Sequence, residues 1–334
     1  MTKIRWGILS TANIGIKRVI PAIISSSRGT LAAIASRDGD RAASVAKQFG
    51  IPVSYADYQS LLDDPNIDAI YNPLPNHLHV PWTVKAMEAG KHVLCEKPIA
   101  LNAREAEALI AARDRTGKHV MEAFMVRCHP QWHRVRELVH AGRIGTVRAI
   151  QSAFTFSVLD PKNVRNQADI GGGALYDVGC YPLVTARYLF GAEPERVIAA
   201  TNRDPALGVD RVTSGMLIFP GGEQLTFTSS LQLAPYQRVV ILGSAGRIEV
   251  RAPFTPNKDH ACTILIDTSA SLDGSSQVAE HFDPVDQYAL QSDLAASVFL
   301  NEVRQPFPIE DAISGMRVLD ALYRSAESGH WEVP

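Results

Sequence analysis

The chain has 334 residues, 46% of them hydrophobic and 20% charged, and its 33 basic and 35 acidic residues leave a formal net charge of -2. That length exceeds one ordinary hydrophobic core, so two domains are expected, and the balanced charge gives no electrostatic reason to look for a nucleic acid or an anionic membrane as partner. Four scattered cysteines, Cys95, Cys128, Cys180 and Cys262, argue against a zinc site or disulfide framework and suit a reducing cytoplasm; a start that enters a strand at once, with no long apolar span after it, predicts neither export nor membrane insertion.

Up to about residue 124, short apolar runs alternate with amphipathic segments, the pattern of a parallel sheet covered by helices on both faces. Strands are predicted over 4–9, 31–36, 53–55, 69–72, 92–95 and 119–123, with helices over 16–26, 41–49, 58–62, 81–89 and 103–116. Gly50, Gly90 and Gly117 follow three of these helices, where a left-handed stop is expected. A helix over 130–141, closed by Gly142, leads into strand-rich sequence, with strands predicted over 147–155, 196–201, 213–218, 224–230, 237–242 and 246–251. Pro220-Gly221-Gly222 and Gly243-Ser244-Ala245-Gly246 read as hairpin turns in a mainly antiparallel sheet. A polar loop is expected at 268–276, and helices over 287–303 and 309–328 close the chain. The expected fold is α/β: a Rossmann-type, doubly wound dinucleotide-binding domain over 1–124 and an α+β domain for substrate binding and oligomerisation over 125–334. The open face of the second sheet is a candidate homodimer surface.

Dinucleotide chemistry enters at the first strand. It is followed by Ser10-Thr11-Ala12-Asn13-Ile14-Gly15, in which Ser10, Ala12 and Gly15 occupy the three positions where a dinucleotide fingerprint wants glycine. Such a loop lets backbone N–H groups and a positive helix N-terminus approach a pyrophosphate, although a small-residue turn with no ligand reads the same way. The second strand ends Ser36-Arg37, a hydroxyl and a guanidinium suited to the 2'-phosphate of NADP, while Asp38 next door would suit the free ribose of NAD. After the fourth strand come Pro73, Leu74, Asn76, His77 and His79, which either line the nicotinamide ribose or simply order the loop. After the fifth come Glu96, Lys97 and Pro98; a lysine at this edge would be costly to bury unpaired, and Glu96 would hold its ammonium or the cofactor ribose.

The second half of a site is expected at Gly171-Gly172-Gly173-Ala174-Leu175-Tyr176-Asp177-Val178-Gly179-Cys180-Tyr181. Its helical continuation puts Asp177 and Tyr181 on one face. An ammonium near a phenol favours the phenolate, which recommends Lys97 with Tyr181, while a glycine turn and a core tyrosine are the structural alternative. Arg127 and Arg165 are candidates for substrate contacts or for ion pairs.

Four segments together, Trp6 to Ala12, Gly90 to Pro98, Glu122 to Arg127 and Gly171 to Tyr181, resemble the glucose-fructose oxidoreductase and inositol dehydrogenase family over nearly the whole length. Members resembling inositol dehydrogenase carry histidine four residues after the aspartate; Tyr181 stands there, so the chain is similar to the branch of dimeric dihydrodiol dehydrogenases and NADP-dependent xylose dehydrogenases. The resemblance implies hydride transfer between NADP(H) and an aldose or related vicinal diol. In that mechanism Tyr181 exchanges a proton with the reacting oxygen, Lys97 holds that oxygen and Asp177 orients the pair. Ser10 and Ala12 depart from the family's loop glycines. Two other readings stay open, a nucleotide-sensing regulator without turnover and a redox-assisted hydrolase or epimerase holding NAD tightly. Substrate identity, reaction direction, oligomeric state and the Lys97-Pro98 isomer are not fixed by sequence.

Overall fold

The computed structural model describes residues 2–268 and 272–334, so 269–271 of the expected polar loop lie outside the described residues. The chain forms two compact units, Met1–Met125 with Asp286–Ile313, and Val126–Val285 with Ser314–Pro334.

The first unit is built on six parallel strands, β1 (Ile4–Leu9), β2 (Gly29–Ala35), β3 (Val53–Tyr55), β4 (Ala69–Asn72), β5 (His92–Glu96) and β6 (Val120–Ala123), in the order β3-β2-β1-β4-β5-β6. The order reverses direction between β1 and β4, and in such sheets ligands bind at the carboxyl ends beside the reversal. Trp6, Ile8 and Leu9 are fully buried, because helices cover both faces and leave β1 no solvent side. A π-helical turn, Gly15–Val19, runs into α1 (Ile20–Ser25); α2 (Gly39–Phe49), α3 (Tyr58–Asp63), α4 (His79–Glu88) and α5 (Ala103–Thr116) follow. Asp38, Asp57 and Asn102 cap α2, α3 and α5 by accepting from the backbone amides of Arg41, Ser60 and Glu105. Gly50 and Gly117 end α2 and α5 in left-handed conformation.

In the second unit, α6 (Pro130–His140) and α7 (Cys180–Phe190) accompany eight strands: β7 (Val147–Ser157), β8 (Arg196–Arg203), β9 (Asp210–Ile218), β10 (Gln224–Ser230), β11 (Gln232–Gly243), β12 (Gly246–Val250), β13 (Cys262–Asp267) and β14 (Val278–Phe282). They order as β14-β13-β12-β11-β7-β10-β9-β8, antiparallel except for β7 with β10. The two glycine-bearing turns form the β9–β10 and β11–β12 hairpins as expected. β13 and β14 were not expected; β14 is a short edge strand with no buried residue, so it lacks the apolar alternation that marks a strand.

The last two helices are α8 (Gln287–Phe299) and α9 (Ile309–Ser328). α8 stops short of residue 303, with Asn301 just beyond it in left-handed conformation at φ 56°. The expectation was one domain over 125–334, whereas α8 packs in the first unit. Ala295, Ala296, Val298 and Phe299 complete the core around β1, and the Phe299 ring lies 5.7 Å from that of Trp6.

Candidate functional site

The loop after β1 begins with a residue in a conformation glycine usually takes. Ser10 has φ 71°, and its hydroxyl accepts from the Ala12 amide at 3.3 Å. Thr11 is buried and its carbonyl accepts from Arg41 Nη2 at 3.3 Å, while Asn13 and Ile14 open the helical turn. A methyl group built on Gly15 meets nothing nearer than 3.8 Å, so packing within the protein does not demand glycine there. At the end of β2, Ser36 is buried and accepts from the Asp38 amide at 3.2 Å. The Asp38 carboxylate is spent on the α2 cap, accepting from Arg41 at 3.0 Å. The acid weighed for a ribose is therefore engaged, and Arg37 is exposed beside it.

The loop carrying Lys97 is braced from three directions. Tyr71 donates to Glu96 Oε1 at 2.6 Å, and the amide of Ile99 donates to Glu122 Oε1 at 2.9 Å from the neighbouring strand β6. His79 Nδ1 lies 2.8 Å from the Pro98 carbonyl and its Nε2 lies 2.6 Å from the Leu74 carbonyl. Burial holds that imidazole down to about 4, against the two carbonyls that favour its protonated form. Neutral, the ring donates from one nitrogen to one of these carbonyls and lies against the other, so His79 packs between the two loops. Asn72 orders the Leu74 loop, accepting from the Leu74 amide at 3.2 Å and donating to the His79 carbonyl and Thr83 hydroxyl at 3.1 Å each. Pro73 and Leu74 are buried in this loop and Asn76 opens a short 3-10 turn. The Lys97–Pro98 peptide is cis.

In the second unit the glycine run serves packing. Gly173 has φ 123°, and a Cβ there would fall 2.0 Å from Asp210 Oδ1; one on Gly172 would fall 2.6 Å from the Gln167 carbonyl. The run leads into a π-helical turn, Leu175–Gly179, continuous with α7. Tyr181 is 5% exposed, its ring edge-on to Phe154 at 5.3 Å and 5.4 Å from Phe254. Asp177 pairs with Arg165, whose Nε donates to Oδ2 at 2.6 Å, and the Arg165 guanidinium lies 5.9 Å from the Phe156 ring. Of the two arginines weighed, Arg165 is therefore an ion-pair partner, and Arg127 is buried with its carbonyl held by His133 at 2.8 Å.

Asp210 was missed by sequence reasoning, although it is nearly fully buried and accepts from the Leu175 amide at 2.7 Å, the Thr213 hydroxyl at 2.9 Å and the Tyr323 hydroxyl at 3.4 Å. Burial pushes its carboxyl up to about 6. Arg41 was missed as well. No cluster of three metal-ligating side chains and no helix long and apolar enough to cross a membrane occurs among the described residues.

Residues 4–124 match the model of an oxidoreductase family with an NAD-binding Rossmann fold, and residues 132–249 match the GFO/IDH/MocA C-terminal domain. The chain is 48% identical to an uncharacterised oxidoreductase of Rhizobium meliloti over 99% of both chains. It is 39% identical to the D-xylose 1-dehydrogenase (NADP(+)) 2 of Haloferax volcanii, over 97% of this chain and 98% of that one. A 3-ketoreductase from Actinomadura kijaniata, solved with NADP and TDP-benzene, superposes with a TM-score of 0.91 at 31% identity, covering 97% of this chain and 98% of the other. A tyrosine-to-phenylalanine and a lysine-to-alanine variant of that enzyme have the same fold.

Proposed function

The chain belongs to the GFO/IDH/MocA family of oxidoreductases, and from that membership we propose that it transfers hydride between NADP(H) and an aldose or related vicinal diol. The observation that carries this reading is the braced Lys97 loop at the carboxyl end of β5, on the same sheet edge as the Ser10–Gly15 loop. The residues present fit a dinucleotide. Ser10, Thr11, Ala12, Asn13 and Ile14 offer the backbone of a strand-to-helix turn for the pyrophosphate, and Gly15 is glycine without a packing need of its own. Ser36 and Arg37 suit the 2'-phosphate, with Asp38 withdrawn into its cap and Arg41 anchored on Thr11. Pro73, Leu74, Asn76 and Glu96 would border the nicotinamide half, with His79 acting through the loops it ties. NADP rather than NAD follows from that basic end of β2.

The cofactor, when bound, supplies the hydride acceptor or donor. Tyr181 exchanges the proton at the substrate oxygen, and Lys97 stabilises negative charge on that oxygen and on the phenol. Asp177, paired with Arg165, orients this exchange. In the ketoreductase the lysine and tyrosine altered in the solved variants stand 84 positions apart, the separation of Lys97 and Tyr181 here, which supports the pairing. Substrate selection and self-association fall to the second unit. We place the protein in the cytoplasm as a homodimer or higher homo-oligomer, and the exposed Leu233 and Tyr236 of β11 are apolar side chains suited to self-association.

The test is a panel of aldoses, inositols and dihydrodiols assayed with NADP and with NAD, followed by Tyr181→Phe and Lys97→Met. Each variant should bind NADP normally and lose at least about a hundredfold in kcat, the scale of one general acid–base group. Near-normal turnover in either variant rejects its role.

A further inference from the structure

Asp210 lies outside every role assigned so far, yet its carboxylate accepts from its own strand β9, from the start of the helical turn at Leu175 and from α9. Oδ2 accepts from the Leu175 amide at 2.7 Å and the Thr213 hydroxyl at 2.9 Å, and Oδ1 accepts from Tyr323 of α9 at 3.4 Å. Gly173, two residues before Leu175, makes the space Oδ1 occupies, since a Cβ there would lie 2.0 Å from it. The Leu175 amide is the first donor of the π-helical turn that runs into α7, and a negative charge at that end also complements the dipole of the helix. Asp177 lies two residues beyond Leu175, and Tyr181 less than two turns beyond it. The Tyr323 ring packs on that of Tyr176, 4.9 Å away, next to Asp177. The carboxylate is therefore joined to the start of this helix both directly and through a tilted pair of phenol rings.

We infer that Asp210 is a positioning residue for the reaction: by holding the Leu175 amide it fixes where the helix carrying Asp177 and Tyr181 begins, and so where the proton-exchanging phenol stands. This inference rests on the catalytic role proposed for Tyr181. A buried carboxylate that only stabilised the fold would contribute through all three donors alike. The geometry singles out the Leu175 contact, because Thr213 and Tyr323 are ordered elsewhere, Thr213 by its own bond to Thr201 at 2.9 Å and Tyr323 by its ring packing.

Four variants separate the possibilities. Asp210→Ala removes the acceptor, Asp210→Asn keeps a carbonyl oxygen for Leu175, and Thr213→Val and Tyr323→Phe remove the other two donors while leaving the Leu175 bond. With turnover expressed per NADP-binding site, Asp210→Ala should lower kcat at least tenfold with KM for NADP unchanged, and hydrogen exchange of amides 175–181 should accelerate. Asp210→Asn should recover most of that loss, and Thr213→Val and Tyr323→Phe should stay within about twofold of the parent even where they unfold more easily. Should Asp210→Ala fail to fold, Asp210→Ser, too short to reach the Leu175 amide, is read the same way. Normal kcat in the alanine or serine variant, or equal losses in all four, overturns the inference. If Tyr181→Phe itself turns over normally, the proposed function fails instead, so the two failures are distinguishable.

Discussion

Replacing Gly173 with alanine tests the packing of the second unit at its tightest point. At φ 123° an L-residue sits in a region that costs about 1–3 kcal/mol by itself. The added methyl would also lie 2.0 Å from Asp210 Oδ1, so the carboxylate has to leave. Its departure strands the buried Leu175 amide, a loss of about 1–3 kcal/mol for an unsatisfied donor. Together these give a destabilisation of about 4 kcal/mol. Gly191 is the control: it ends α7 in left-handed conformation at φ 63° with nothing within 4 Å of a built Cβ, so Gly191→Ala carries the backbone term alone, about 1 kcal/mol. Urea titrations of both variants at neutral pH, compared at a common slope, measure the difference. If Gly173→Ala costs no more than Gly191→Ala, the Asp210 brace does not exist in solution.

The same carboxylate predicts a pH dependence. Because its folded value is raised to about 6, it stabilises the fold when protonated, and that contribution, about 3 kcal/mol, is present below pH 4 and lost as pH rises through 6. The stability of the parent relative to Asp210→Asn should therefore fall between pH 4 and 7 in urea melts, and a flat difference would contradict the burial argument. Ser10→Gly should stabilise the first unit by about 0.5–1 kcal/mol by relieving the left-handed serine, whereas Ser10→Val should destabilise it by more than 1 kcal/mol; thermal melts with NADP affinity measured alongside check both. Arg37→Ala should weaken NADP binding at least tenfold and leave NAD binding within about threefold, as read by titration of each dinucleotide; equal losses would move the 2'-phosphate contact elsewhere.

Much of the first unit is legible in sequence because each of its signals is local. An apolar run covered on both faces, an Asp or Asn cap and a glycine stop all lie within a dozen residues of the element they define, as with Asp38, α2 and Gly50. What could not be read depends on distant partners. α8 packs on a sheet nearly the whole chain away and has no single apolar face to announce it, so only its packing on Trp6 shows which unit it joins. Asp210 bonds to residues 35 and 113 positions away, and at the mouth of a strand an aspartate looks like any other turn residue. The loop after β4 shows the same dependence on context. An imidazole near a sheet edge reads as a ligand group or as a packing group, and only the fold shows that both ring nitrogens of His79 face backbone carbonyls.

Both units order a segment proposed to take part in the reaction by the same means. In the first, Glu122 on β6 accepts the amide of Ile99, two residues after Lys97; in the second, Asp210 on β9 accepts the amide of Leu175, two residues before Asp177. In each case a carboxylate anchored on a strand grips the backbone beside the side chain proposed to act and leaves that side chain free of the grip. A charge-assisted bond to a backbone N–H is short and directional, and its acceptor is held by a sheet, so it fixes a loop more firmly than a bond between two long side chains would. It also leaves the loop sequence unconstrained at the gripped residue, since any amide serves except that of proline. That freedom explains why Ile99 and Leu175 carry no signal of their own, and why the acids that hold them are the residues through which substitutions remote from the reacting atoms should alter turnover.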